Sequence, residues 1–165
     1  MANITLGGAA TTTNGELPAV NSAAPNFKLT KTDFSEVTLE TYKGKKVILN
    51  IFPSVDTGVC AASVRKFNEE VANLENTVVL CVSKDLPFAQ ARFCGAEGIE
   101  NAIPVSNFKS PDFATNYGVK IESGAFADLN ARAVVIINAE GIVTYTELVP
   151  EIGSEPDYDK ALKSL

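Results

Sequence analysis

The chain contains no histidine, which removes a Cys–His nucleophile pair and any Cys/His zinc site from consideration. Its cysteines are Cys60, Cys81 and Cys94. Zinc held by thiolates alone usually takes about four of them, so a structural zinc site is also excluded. No C-x-x-C is present, so a thioredoxin-type dithiol is absent. An odd cysteine count does not fit a secreted disulfide framework. Arginine is scarce: Arg65, Arg92 and Arg132 are the only ones, and the net charge is −6. Nucleic acid demands clustered basic charge to displace counterions, and none is found. Lys43, Lys45 and Lys46 surround Gly44, which reads as a solvated turn before a strand. No window approaches the apolar length of a membrane span. The first residues carry no basic side chain before Lys28 and no apolar h-region, so they are not read as a secretory signal, and a cytoplasmic location is expected.

What remains is ordinary globular material. A chain of 165 residues, 45% apolar and 21% charged, is long enough for one domain, 1–165, with a real core. Residues 1–26 are rich in Gly, Ala, Thr and Asn. Segments 4–6 and 11–13 are candidates for a hairpin, with Asn14–Gly15 as a further turn, against a competing reading as flexible padding. Short strands are expected at 27–30 and 36–38, a helical turn at 39–42, and buried strands at 47–52 and 77–83 with a helix between them. A helix from Pro87 to Phe93 or Cys94 suits Pro87 in its first turn and Gly95 at its end. A strand at 103–106 and a helix at 111–117 stopped by Gly118 follow. Residues 119–130 read as loop, 133–137 and 142–148 as a hairpin around Asn138 and Gly141, and 156–165 as a closing helix. Alternating strands and helices argue for an α/β chain with parallel β-α-β packing.

The stretch that organises the chain is VILNIFPSVDTGVC, residues 47–60. Its first half is β-branched and apolar, broken only by Asn50, and Pro53 ends the ladder. Val59, Ala62, Ser63, Lys66, Phe67, Glu70, Val71 and Leu74 then fall into a helical pattern. Cys60 therefore lies in the first turn of a helix that follows a buried strand. Unpaired N–H groups at a helix start favour the thiolate, which is the nucleophile. The plainer reading is a small buried hydrophobe.

Pro53, Thr57 and Cys60 spell P-x-x-x-T-x-x-C, and the longer string NIFPSVDTGVCAASVRKFN resembles the thiol peroxidase branch of the peroxiredoxin family. The similarity runs over nearly the whole chain and includes DLPFAQARFCGAEG and ARAVVIIN. The resemblance implies a thioredoxin-like fold: a central mixed β-sheet flanked by helices, with an N-terminal β-hairpin. It also implies Cys60 as the peroxidatic cysteine, Cys94 as the resolving cysteine of an intramolecular disulfide, and Arg132 as the active-site arginine. A homodimer, thioredoxin as the external reductant and hydroperoxides as substrates follow from the same resemblance. No cofactor or metal enters this reading.

The chemistry asks for few groups. A thiolate attacks one peroxide oxygen, charge develops on the departing one, and preorganised donors lower that barrier. Cys60 supplies the sulfur. The Thr57 hydroxyl is placed to bond the sulfur and a peroxide oxygen, N–H groups at Val59 and Cys60 point to the same spot, and Pro53 walls the pocket against water. Arg132 is costly at the head of an apolar strand, although an arginine there also reads as one that snorkels to water. Its planar fork would stabilise the thiolate and hold peroxide oxygens. Phe52 and Phe93 are candidates for an apolar pocket wall, and equally for core. Cys81, mid-strand beside Val79, reads as structural, whereas Cys94 lies near a helix end where fraying is cheap. A redox relay that passes the same disulfide to a partner protein is the second reading, and an inert thioredoxin-like binding module the third.

Overall fold

The computed structural model describes residues 1–165. A seven-stranded sheet organises it, in the order β4-β3-β7-β6-β5-β8-β9. Its centre is β5 (Lys46–Ile51), β6 (Thr77–Ser83) and β7 (Ile103–Ser106), all parallel. The helices α1 (Gly58–Val71) and α2 (Pro87–Glu97) make the two crossovers, as parallel neighbours require. β8 (Ala133–Ile137) runs antiparallel to β5, and β9 (Val143–Leu148) returns along β8. At the other edge β3 (Lys28–Lys31) joins β7 and pairs with β4 (Glu36–Thr38), which a single helical turn at Glu40–Tyr42 follows. This is the mixed, helix-flanked thioredoxin-like sheet that the resemblance implies.

Strand alternation divides the core in two. Val47, Leu49 and Ile51 face one cluster with Leu80, Val82, Val135 and Ile137, covered in part by α3 (Pro111–Asn116). Ile48 and Phe52 face the other with Val79, Cys81, Val134 and Ile136, where α1 contributes Cys60, Val64, Phe67 and Val71. By the same period-two logic Asn50 and Cys81 point to the α1 side. There Asn50 Nδ2 donates to Ser63 Oγ (3.2 Å) and to Cys81 Sγ (3.7 Å), and Ser63 Oγ donates to the Cys60 carbonyl (2.8 Å).

The N-terminal hairpin is present, as β1 (Asn3–Leu6) and β2 (Ala9–Thr12). Its turn is Gly7–Gly8, both at positive φ, which a tight hairpin turn demands and glycine supplies without strain. Asn14–Gly15 is a separate bend, where Asn14 exchanges hydrogen bonds with Lys120. Residues 119–130 are irregular but not merely superficial, since Val119 and Ile121 are fully buried and Thr13 bridges to Ile121.

Two helix ends differ from expectation. α2 does not stop at Gly95 but runs to Glu97, with Gly98 left-handed at φ 66. The second glycine takes the cap because Ile99 follows it and packs against the core, the apolar contact that accompanies such a cap. The last helix, α4 (Tyr158–Lys163), is shorter than 156–165. Asp157 caps it, its side chain accepting from the Lys160 N–H, and so fixes the start after Pro156.

Candidate active site

The C-terminal edge of β5 gathers the chemistry. Pro53 is buried two residues beyond the strand, and Thr57 is the extended N-cap of α1. The N–H groups of Gly58, Val59 and Cys60 find no acceptor in the protein, as expected for a first helical turn. Cys60 is fully buried among Phe52, Val64 and Phe93.

The antiparallel register that pairs Ile51 with Ala133 brings the residue before β8 to the same edge. That residue is Arg132, 2% exposed. Its Nη2 donates to Cys60 Sγ at 3.1 Å and its Nε to the Ile152 carbonyl at 2.7 Å, while Nη1 has no partner. No carboxylate pairs with it, although a buried cation left without an anion is costly. The reading of Arg132 as a snorkelling surface residue is thereby set aside.

Ile152 belongs to a segment that the N-terminal hairpin holds. The Ile152 N–H donates to Thr5 O and the Thr5 N–H to Pro150 O, each at 2.8 Å. The Glu151 carboxylate accepts from the Thr5 hydroxyl and the Gly7 N–H, which holds its carboxyl below the usual range. Hairpin, Ile152 and Arg132 thus form one chain of contacts ending at the sulfur.

A pocket of about 160 Å³ opens over this arrangement, lined by Thr57, Gly58, Val59 and Arg132 on its polar side and by Leu6, Phe126 and Ile152 on its apolar side. The apolar wall therefore comes from the hairpin and the 119–130 segment. Phe52 and Phe93 are core residues of the cluster that also holds the cysteine, and neither lines the pocket. The Thr57 hydroxyl lines the pocket but donates to the Ser54 carbonyl at 3.1 Å, not to the sulfur as expected. The hydroxyl is turned back to the loop and caps no N–H of the helix start, unlike the usual threonine at this position.

All three cysteines are free thiols. Cys94 lies in the last turn of α2, half-buried, and its carbonyl accepts from the Gly98 and Ile99 N–H groups that close the helix. Burial pushes its thiol up to about 11. Cys81 is fully enclosed and burial pushes it up to about 12. Nothing bonds Cys94 to Cys60 in this state.

The sequence pattern of the Redoxin family matches residues 19–162. A thiol peroxidase from Mycobacterium tuberculosis is 58% identical over 165 residues, 100% of this chain and 99% of that protein. The chain belongs to the redoxin family, on the thiol peroxidase branch of the peroxiredoxins. A thiol peroxidase from Corynebacterium glutamicum is 54% identical over the same coverage. Among solved structures, a peroxiredoxin-like protein from Aquifex aeolicus shares 39% identity at a TM-score of 0.93, covering 99% of this chain and 95% of its own. A Chromobacterium violaceum thiol peroxidase, 20% identical at a TM-score of 0.91, covers 99% of this chain and 95% of its own and shows the fold. This chain is accordingly a peroxiredoxin-type enzyme.

Sequence reasoning missed several residues that build this candidate site. Leu6, Phe126 and Ile152 have no local signal, because only tertiary packing brings them to the pocket. Asp85 had one signal, its place two residues ahead of the helix-opening Pro87. Its carboxylate accepts from Ser54 Oγ and the Val55 N–H, both at 2.8 Å. No helix is long and apolar enough to cross a membrane.

Proposed function

We propose that this chain reduces hydroperoxides through Cys60. The thiolate attacks the terminal peroxide oxygen, the O–O bond breaks, and the departing alkoxide or hydroxide takes a proton, leaving Cys60 as a sulfenic acid. The observation that carries this reading is the buried Arg132 guanidinium on Cys60 Sγ at 3.1 Å with no carboxylate to neutralise it. A cysteine thiolate answers that charge. The unpartnered Nη1 and the free N–H groups of the first α1 turn are donors for the peroxide oxygens. Pro53, buried ahead of the loop, offers no N–H and is assigned to the wall that keeps water from the pocket. Thr57 at the pocket wall turns its hydroxyl from Ser54 to the substrate when one enters.

In the same proposal Cys94 resolves the sulfenic acid: its thiol displaces water and forms the Cys60–Cys94 disulfide. The chain must rearrange first, because the attacked sulfur is enclosed here and Cys94 is held in the last turn of α2. An external dithiol, thioredoxin by family resemblance, then returns both thiols. The apolar wall of Leu6, Phe126 and Ile152 favours organic hydroperoxides over hydrogen peroxide. Homodimer formation and a cytoplasmic location belong to this proposal as well, and sedimentation tests the former.

Peptide mapping after one equivalent of hydroperoxide is the decisive experiment. Wild type and Cys81→Ser are expected to yield the Cys60–Cys94 bridge, and Cys60→Ser no oxidation. Steady turnover with thioredoxin, thioredoxin reductase and NADPH separates an enzyme from a relay, which would oxidise once without turnover. Unchanged free thiols after peroxide would reject both.

A further inference from the structure

The segment DLPFAQARFC, residues 85–94, joins the two cysteine-bearing helices by more than chain connectivity. Asp85 follows β6 and precedes α2, yet its side chain serves the loop in front of α1. Oδ1 accepts from Ser54 Oγ (2.8 Å), and Oδ2 accepts from the Val55 N–H (2.8 Å) and from Ser83 Oγ (2.6 Å). Ser83 Oγ in turn accepts from Gln90 Nε2 at 3.1 Å. Gln90 is fully buried in α2, donates also to the Val105 carbonyl (2.9 Å), and stands one helical turn before Cys94 on the same face. A continuous hydrogen-bonded path therefore runs from the entry of α1 to the helix that carries Cys94. A second tie, Arg92 to Asp56 at 3.0 Å, is exposed on both sides and worth little. The carboxylate of Asp85, with donors on both oxygens, carries most of the connection.

We infer that Asp85 is a positioning residue that holds the Cys60 loop in its reactive, closed form and sets how readily that loop lets go after oxidation. The inference rests on the Cys60–Cys94 reading above. A Cys60 sulfenic acid has two fates. Cys94–SH condenses with it, forming the disulfide and releasing water, or a second hydroperoxide transfers an oxygen to it, giving Cys60 sulfinic acid and an alcohol. Condensation needs the loop released and over-oxidation needs it closed. Asp85 therefore biases the partition toward sulfinic acid, in exchange for a well-ordered peroxide site.

The test is mass-spectrometric quantitation of Cys60 sulfinic acid against Cys60–Cys94 disulfide over a hydroperoxide titration, with reductant turning the enzyme over. In Asp85→Ala the peroxide concentration that converts half the enzyme to sulfinic acid should rise about tenfold, the equivalent of one net hydrogen bond. The stopped-flow peroxide rate should fall in the same variant. Asp85→Asn keeps an acceptor for Val55 and lets both serine hydroxyls turn, so it should partition close to wild type. Ser54→Ala removes one of the two loop donors to that carboxylate, leaving the Val55 N–H, and should move the partition the same way by a smaller factor, which covers the case of an unstable Asp85→Ala. Simple destabilisation would lower the active fraction and leave the partition of folded molecules unchanged. An unchanged partition in folded Asp85→Ala or Ser54→Ala overturns the inference. Wild type that forms no Cys60–Cys94 bridge would instead overturn the underlying reading.

Discussion

Arg132 and Cys60 meet as an isolated pair: Nη2 stands 3.1 Å from Sγ, both residues are buried, and no carboxylate competes for the guanidinium. Arg132→Ala should slow the peroxide step by about a hundredfold to a thousandfold, the usual cost of a lost transition-state donor. Arg132→Lys should recover little. A lysine offers a point charge and cannot hold the Ile152 carbonyl and the sulfur at once. Second-order rates measured by stopped flow check both, and a rate equal to wild type in Arg132→Ala would remove the arginine from the mechanism.

Cys94→Ser should stop the cycle after its first step. One equivalent of hydroperoxide should leave Cys60 as a sulfenic acid that a dimedone-type probe labels, and thioredoxin-driven turnover should be lost. Cys81→Ser, altering a thiol enclosed between Asn50 and the core, should keep turnover. Full turnover in Cys94→Ser would assign resolution elsewhere.

The N-terminal hairpin should matter to activity although it holds no catalytic group. Glu151→Ala removes the acceptor of Thr5 and Gly7, loosens the 150–153 segment, and with it the Ile152 carbonyl that orients Arg132. The peroxide rate should fall several-fold with thermal stability little changed. The Thr5 hydroxyl, and after it the Gly7 N–H, hold the Glu151 carboxyl below its ordinary 4.5, so this tie is present above that pH and is lost as pH falls through the lowered value. Amide protection factors of residues 3–12, followed between neutral and acid pH, should drop in that window. Protection that survives acid in wild type and matches Glu151→Ala would show that the carboxylate contributes nothing.

Alkali should destabilise the thiol form. Burial pushes the Cys94 thiol to about 11 and the Cys81 thiol to about 12, against an ordinary 9.0. Between those values the folded chain keeps protons that the unfolded chain gives up, so stability is intact below 9 and falls as pH rises toward 12. Urea midpoints measured across this range should decline, and less steeply in Cys81→Ala. Identical slopes in the two proteins would exclude Cys81 as a source.

Much of this is legible in the residues alone. The β-branched run, Pro53 and the helical pattern from Val59 place Cys60 in the first turn of a helix, because period and punctuation are local properties. Arg132 stood out as a charge at the head of an apolar strand. The end of α2 lies beyond the expected Gly95: Gly98 takes the cap, with Ile99 packed against the core after it, and that packing is not a local property. Thr57 lines the pocket as its place in the motif suggests, but its hydroxyl bonds the Ser54 carbonyl, a rotamer choice that no spacing along the chain encodes.

By itself the sequence determined the element order, the nucleophile's address and the absence of a histidine-based mechanism, because each depends on residue type and short-range spacing. The tertiary structure decided that an arginine 72 positions from Cys60 reaches its sulfur, that a hairpin at the chain start supports that arginine, and that Asp85 ties α1 to α2. Those relations depend on strand register and sheet order, and non-local pairing leaves no periodic trace along the chain.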